Sequence, residues 1–115
     1  MSATMQAQYH DMLEHLATAV LRLGPDTAVG YMNPAAESLL QLSARQALGT
    51  PLKRLVSSLA ALDYAMNLAR ERDASYTERE HRIELAGSQS VTVDCTLTPL
   101  AGGDMLMELE QLDRH

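Results

Sequence analysis

The chain has 115 residues, of which 46% are hydrophobic and 21% are charged, and its formal net charge at pH 7 is -6. This composition predicts one folded domain and excludes the low-hydrophobicity, high-charge signature of a disordered chain. The nine lysine and arginine residues are scattered along an acidic chain, which excludes a nucleic-acid-binding surface as well.

The apolar stretches are short and are interrupted by charged or polar residues, and the first twenty residues lack a basic segment followed by an apolar one. We therefore expect a soluble, cytoplasmic chain that makes no contact with a membrane. Cys95 is the only cysteine. An internal disulfide and a structural zinc site built from cysteines are thus excluded.

An amphipathic helix is predicted at the start of the chain. Its apolar residues recur at spacings of three and four, so they form one stripe: Met5, Tyr9, Met12, Leu13 and Leu16. An isolated helix this short is marginal in water, so the stripe must pack on another surface. We expect that surface to be a second copy, which makes residues 1–17 a dimerisation helix and residues 18–115 the main domain. The alternative is a helix that folds back as a lid on its own domain.

Two strands and a run of short helices are predicted next. Residues 19–23 and 28–32 are typical of strands joined by a Gly-Pro-Asp-Thr turn. Asn33, Ser43 and Thr50 are predicted to cap three successive helices, because each precedes a proline or begins a capping pattern. A further helical stripe contains Leu55, Leu59, Leu62 and Met66, although two serines at 57 and 58 can interrupt it.

The rest of the chain is predicted to form three strands. Residues 91–98 alternate strictly between apolar and polar side chains, and Met105, Met107 and Leu109 begin another strand with the same period. The whole order is helix, two strands, short helices and three strands. It predicts an α+β fold in which a five-stranded antiparallel sheet carries its helices on one side.

A possible chemical site arises from the predicted pairing of the late strands. Matching Leu85 with Val91 places His81 opposite Cys95 on the same face. As a hypothesis, this pair forms a redox-sensitive or metal-responsive site. The alternative is an ordinary buried core cysteine, which behaves as a small hydrophobe.

Three segments carry a resemblance to a known family. Residues 31–40, YMNPAAESLL, resemble the strand-to-helix segment of a PAS domain. Together with LATAV at 16–20 and LGTPL at 48–52, they resemble the N-terminal sensory module of the nitrogen-regulation sensor histidine kinases of the NtrB family. The resemblance covers essentially the whole chain, but only one portion of such a kinase.

The resemblance implies a PAS fold and a role in signalling. It implies that this domain forms a homodimer and relays a signal to a kinase core that this chain does not contain. In the family that it resembles, this core phosphorylates and dephosphorylates the NtrC response regulator, and the PII protein acts on the core. Direct sensing of glutamine by this domain is not implied.

No catalytic, cofactor-binding or metal-binding residue is predicted. Acidic residues such as Asp63, Asp94 and Glu108 lie on separate elements, without a second carboxylate or nucleophile at a useful spacing. The central helices lack the cysteine or histidine that a flavin adduct or haem requires. This fragment is therefore not expected to be an enzyme. The alternative function is a small-molecule receptor that uses a cavity between sheet and helices.

Overall fold

The protein is described by a computed structural model that covers residues 3–112. In chain order the helices and strands are α1 (Ala3–His15), β1 (Ala19–Leu23), β2 (Val29–Met32), α2 (Pro34–Leu40), α3 (Ala44–Ala47), α4 (Leu52–Leu55), α5 (Asp63–Arg72), β3 (Tyr76–Glu84), β4 (Ser90–Pro99) and β5 (Met105–Gln111). A 3₁₀ turn, Ser57–Leu62, separates α4 from α5 at the two serines. The predicted α+β fold is confirmed. The predicted division assigns residues 1–17 to the dimerisation helix and residues 18–115 to the main domain. Its first two and last three residues lie outside the described residues.

The strands form one antiparallel sheet in the order β2-β1-β5-β4-β3. The last strand of the chain lies at the centre, where Leu109 stands opposite Ala19 of β1 and Cys95 of β4. Because side chains alternate across a strand, these three residues share one face of the sheet. The chain thus closes its sheet by pairing its first strand with its last.

The core lies between that face of the sheet and the helices. It contains Ala, Leu, Ile, Val and Met side chains and no phenylalanine or tryptophan, since the chain has neither. Four methionines are buried among them: Met32, Met66, Met105 and Met107. Flexible methionine side chains fill irregular gaps between branched ones.

Strand β3 lies at an edge of the sheet and contains a β-bulge. Glu78 stands opposite Cys95 and His81 stands opposite Val93, so two residues of β3, Arg79 and Glu80, face the single residue Asp94 of β4. Glu80, one of them, has a φ of 54°, in the left-handed region. Bulges of this kind bend an edge strand and change which side chains face each side.

The bulge separates two parts of β3 with opposite alternation. After it, the odd-numbered Ile83 is fully buried in the core. Before it, the odd-numbered Thr77 lies on the outer face, where its hydroxyl is 3.0 Å from that of Thr96. The carboxylate of Asp94 accepts a hydrogen bond of 2.9 Å from the backbone N–H of Glu80, which stabilises the bulge.

The turn between β1 and β2 has a fixed and unusual backbone. Thr27 has a φ of 67°, which is uncommon for a β-branched residue. Its N–H donates to the carbonyl of Gly24 at 2.9 Å, and its carbonyl accepts from the N–H of Leu52 at 3.1 Å. The first bond closes the turn and the second joins it to the start of α4, so together they hold Thr27 in place.

Candidate functional site

The apolar stripe predicted on the first helix is largely exposed. The exposed fractions are 44% for Met5, 48% for Tyr9, 61% for Met12 and 45% for Leu16, while Leu13 is partly buried. Four of the six large hydrophobic residues exposed in the described chain lie in this stripe. Their spacing of four, three and four places Met5, Tyr9 and Met12 on one side of α1, and Leu16 continues the stripe directly after the helix ends. The structure therefore brings the five predicted residues together at α1 and leaves four of them exposed.

The opposite side of α1 is attached to the sheet. The hydroxyl of Tyr31 in β2 donates a 2.6 Å hydrogen bond to Oε2 of Glu14. The ring of His10 lies edge-on to the Tyr31 ring, with 5.8 Å between the ring centres. These contacts fix which side of the helix faces outward. Sequence reasoning did not identify this pair, because Glu14 and Tyr31 form no local pattern.

Asn33 joins α1, β1 and α2 through one buried side chain. Its Oδ1 accepts hydrogen bonds from the N–H of Ala36 at 3.0 Å and of Val20 at 2.9 Å. Its Nδ2 donates to the carbonyls of Leu13 at 3.1 Å and Thr18 at 2.9 Å. The prediction that Asn33 caps the helix beginning at Pro34 is confirmed. The other three bonds connect that cap to the end of α1 and the start of β1.

The other two predicted caps differ from the structure. Ser43 occupies the N-cap position of α3, but its side chain makes no capping hydrogen bond there. Oε2 of Glu37 accepts from the N–H of Ala44 at 2.8 Å, so the preceding helix supplies the cap. Thr50 is not a cap, because Pro51 occupies the N-cap position of α4. The backbone of Thr50 instead bonds to β2, where its carbonyl accepts from the N–H of Val29 at 3.0 Å.

The predicted pairing of His81 with Cys95 is wrong. Ile83, and not Leu85, stands opposite Val91, so β3 is shifted by two residues against β4. The bulge adds a shift of one more residue and places Glu78 opposite Cys95. Nε2 of His81 lies 3.4 Å from the carbonyl oxygen of Ser58. Burial above all, and then the charges of Glu78 and Glu108, raise the pKa of the Cys95 thiol to about 12. The thiol is therefore an unreactive core group, which was the alternative interpretation.

The described residues hold no cluster that could bind a metal ion through three or more His, Cys, Asp or Glu side chains. Between residues 3 and 112, none of the helices has the length and apolar character needed to cross a membrane. At α1 the structure instead has an exposed apolar surface, on a helix that the Tyr31–Glu14 hydrogen bond orients. Such a surface can bind another protein surface.

The chain matches the family model of the PAS fold over residues 7–105. It is 27% identical over 115 residues to the sensory histidine kinase/phosphatase NtrB of Escherichia coli O157:H7, covering 100% of this chain and 33% of that protein. It is 30% identical over 104 residues to NtrB of Klebsiella oxytoca, covering 90% of this chain and 30% of that protein. The chain thus spans about a third of the length of the curated relatives that it matches.

Solved structures of PAS domains have the same fold as this chain. The PAS domain of nitrogen regulation protein NR(II) from Vibrio parahaemolyticus superposes with a TM-score of 0.76 at 24% identity, covering 97% of this chain and 100% of that one. A PAS domain from Colwellia psychrerythraea superposes with a TM-score of 0.80 at 16% identity, covering 94% and 97%. With the family model matching most of its length, the chain belongs to the PAS-fold family.

Proposed function

We propose that this PAS domain is the dimerising regulatory module of a cytoplasmic nitrogen-regulation sensor histidine kinase. The similarity to NtrB along the whole chain supports a parent of that kind. In this proposal the kinase core, in the rest of the parent, phosphorylates and dephosphorylates NtrC. The PII protein acts on that core, and this domain supplies pairing and regulation.

The observation that carries the dimer is the exposed stripe of Tyr9, Met12 and Leu16. Two copies that pack these stripes together would form an isologous interface, the commonest kind in homo-oligomers. The bond between Tyr31 and Glu14 holds each helix with its stripe outward, which favours pairing between copies over a fold-back onto the same domain.

The free energy of such a dimer can be estimated from the side chains that it would bury. Burying a half-exposed side chain of this size contributes roughly 1 kcal/mol, so three from each copy contribute roughly 6 kcal/mol. Association itself costs about 4–15 kcal/mol in lost freedom of motion. The isolated domain should therefore dimerise weakly. The stripe sets the geometry of pairing, and the rest of the parent protein adds affinity.

Sedimentation equilibrium over a concentration series tests the dimer. The wild-type mass should rise from the monomer value of 12.6 kDa toward twice that value at high micromolar concentration. The double variant Tyr9→Glu/Met12→Glu should remain a folded monomer, because each copy would bury two charges at the seam.

Ala7→Glu provides the matched control. Ala7 is exposed, and it lies two residues from Tyr9, or about 200° around the helix. This variant should dimerise like the wild type. A wild-type chain that stays monomeric throughout, or a double variant that dimerises equally well, would contradict the proposal.

The kinase assignment has its own test, namely the codons that follow His115 in the gene. A helix bearing a phosphorylatable histidine and then an ATP-binding domain are expected there. In the full-length parent, the double variant at Tyr9 and Met12 should alter autophosphorylation, while Ala7→Glu should not. A different output domain after His115 would refute the kinase assignment and leave the dimer result standing.

A further inference from the structure

A pocket of about 220 Å³ lies where the turn between β1 and β2 meets α4 and α5. None of its lining residues belongs to α1, so it is separate from the proposed dimer surface. Its polar lining consists of Asp26, Thr27, Lys53, Asp63, Asn67 and Arg70.

Two polar atoms of this lining are buried and unsatisfied. Oγ1 of Thr27 and Nη2 of Arg70 are the buried side-chain polar atoms of the described residues that lack a hydrogen-bond partner. A guanidinium nitrogen can only donate, so Nη2 requires an acceptor. Leaving a charged donor buried without one is unfavourable. Both atoms belong to residues that line this one pocket, where a bound acceptor would satisfy Nη2 of Arg70.

The position of Thr27 is held independently of its side chain. Its φ of 67° lies in the left-handed region, and its backbone is bonded on both sides to Gly24 and Leu52. Strained residues that the surrounding structure fixes in this way are concentrated at binding sites. The Thr27 hydroxyl is thus carried on a rigid support.

Each of the two carboxylates of the pocket has a contact with a group other than Arg70. Oδ1 of Asp26 accepts from the N–H of Ala28 at 3.0 Å, and Oδ2 of Asp63 lies 3.7 Å from Nζ of Lys53. Among the described residues no ion pair links Arg70 to an acidic side chain. The acceptor that Arg70 lacks is therefore not supplied by its acidic neighbours.

We propose that this pocket binds a small oxyanion, the carboxylate or phosphate group of a small molecule, through Arg70 and Thr27. Carboxylate and phosphate oxygens accept strong, charge-assisted hydrogen bonds from arginine. A volume of 220 Å³ equals that of about seven water molecules, so the ligand has few non-hydrogen atoms. The negative charges of Asp26 and Asp63 in the same lining disfavour polyanions.

The test uses the ¹⁵N-labelled domain, titrated at constant ionic strength with sodium phosphate and, separately, with sodium acetate into the millimolar range. A saturable shift of the Thr27 and Asn67 amide signals is expected with at least one anion. A response to phosphate alone assigns a phosphate group, and a response to acetate alone assigns a carboxylate.

Arg70→Met should weaken the response by about tenfold or more, since one charge-assisted hydrogen bond is lost. Arg72→Met is the matched control, because Arg72 is exposed on the same helix and does not line the pocket; its affinity should stay within about twofold of wild type. The absence of a saturable shift with both anions, or an equal response in Arg70→Met, overturns the proposal.

The melting temperature of the ligand-free variants provides a second readout. If Arg70 lacks an acceptor, Arg70→Met should match the wild type or melt higher, because an unsatisfied charge is removed. A large decrease in melting temperature would mean that Arg70 is already satisfied in the free protein, and this would also overturn the proposal.

Discussion

The hydroxyl of Tyr31 lies 2.6 Å from Oε2 of Glu14, and through this bond the edge strand β2 holds the last turn of α1. Burial, and then the neighbouring Glu14 carboxylate, raise the pKa of Tyr31 well above its usual value. The phenol therefore keeps its proton and remains a donor throughout the neutral range. The orientation of α1 relative to the sheet rests on this contact and on the Asn33 amide.

Tyr31→Phe should loosen α1 without disturbing the core. The loss of one hydrogen bond to a carboxylate should lower the free energy of unfolding by about 1 kcal/mol. Amide exchange should accelerate in α1 and stay unchanged in β5. Tyr64→Phe, at a position 72% exposed, is the control and should leave both measurements unaltered. Equal α1 protection in Tyr31→Phe and the wild type would show that other contacts hold the helix.

Asn33→Ala should destabilise the domain more than the loss of a simple helix cap. A cap alone is worth about 1 kcal/mol, whereas four backbone groups lose their partner here and the site is fully buried. We expect a decrease of about 3 kcal/mol in the free energy of unfolding by urea. Asn67→Ala, at an exposed position, should change it by less than about 0.5 kcal/mol. A decrease of only about 1 kcal/mol for Asn33→Ala would mean that its other three bonds add nothing.

Cys95 should react with thiol reagents only when the protein unfolds. With a pKa of about 12, roughly one thiol in 10,000 is ionised at pH 8, compared with about one in ten for a free cysteine. Iodoacetamide should therefore label Cys95 rapidly in denaturant and negligibly without it. Rapid labelling of the folded protein at pH 8 would contradict the buried position.

Cys95 should also make the stability of the domain sensitive to alkaline pH. Its folded pKa lies above the ordinary value of 9.0, so the folded state binds the proton more tightly than the unfolded state. The stabilisation that comes from this pKa difference is fully present below pH 9 and is lost as the pH rises toward 12. Cys95→Ala should show a smaller decrease in the free energy of unfolding across that range. Parallel pH profiles for the two proteins would rule out the effect.

Thr27→Gly and Gly49→Ala should change stability in opposite directions. Both positions have a positive φ, 67° for Thr27 and 82° for Gly49. Glycine at position 27 should stabilise the turn by about 0.5–1 kcal/mol, and alanine at position 49 should destabilise the chain by about 1 kcal/mol. No atom lies within 4 Å of a Cβ added at Gly49, so the latter effect reports backbone strain alone. Urea denaturation measures both, and the same sign for the two variants would refute the explanation.

Much of the fold could be predicted from local patterns. Residues 91–98 and Met105, Met107 and Leu109 alternate strictly, and that period defines β4, β5 and the face that enters the core. The register of β3 could not be predicted in this way. Its residues from Thr77 to Arg82 are all polar, so no apolar pattern fixes the pairing, and the bulge at Glu80 leaves no signature in the sequence. The error at His81 and Cys95 has this cause.

The candidate sites also differ in whether a local sequence pattern predicts them. The stripe of Met5, Tyr9 and Met12 lies on one helix, so its spacing was sufficient to find it. The bonds from Tyr31 to Glu14 and from Asn33 to Leu13 join residues 17 and 20 positions apart. Neither they nor the convergence of Thr27 and Arg70 on one pocket follow from helical or strand periodicity, because only the tertiary fold brings these residues together.

The bulge in β3 also bears on how this protein behaves when it is concentrated. A straight, regular edge strand presents a continuous row of free N–H and C=O groups, onto which another chain can add without limit. Here the left-handed Glu80 breaks that row, and charged residues flank the break. The addition of further chains to this edge of the sheet, and so the growth of fibres, is thereby hindered. Crowded samples should remain clear and contain discrete assemblies rather than filaments.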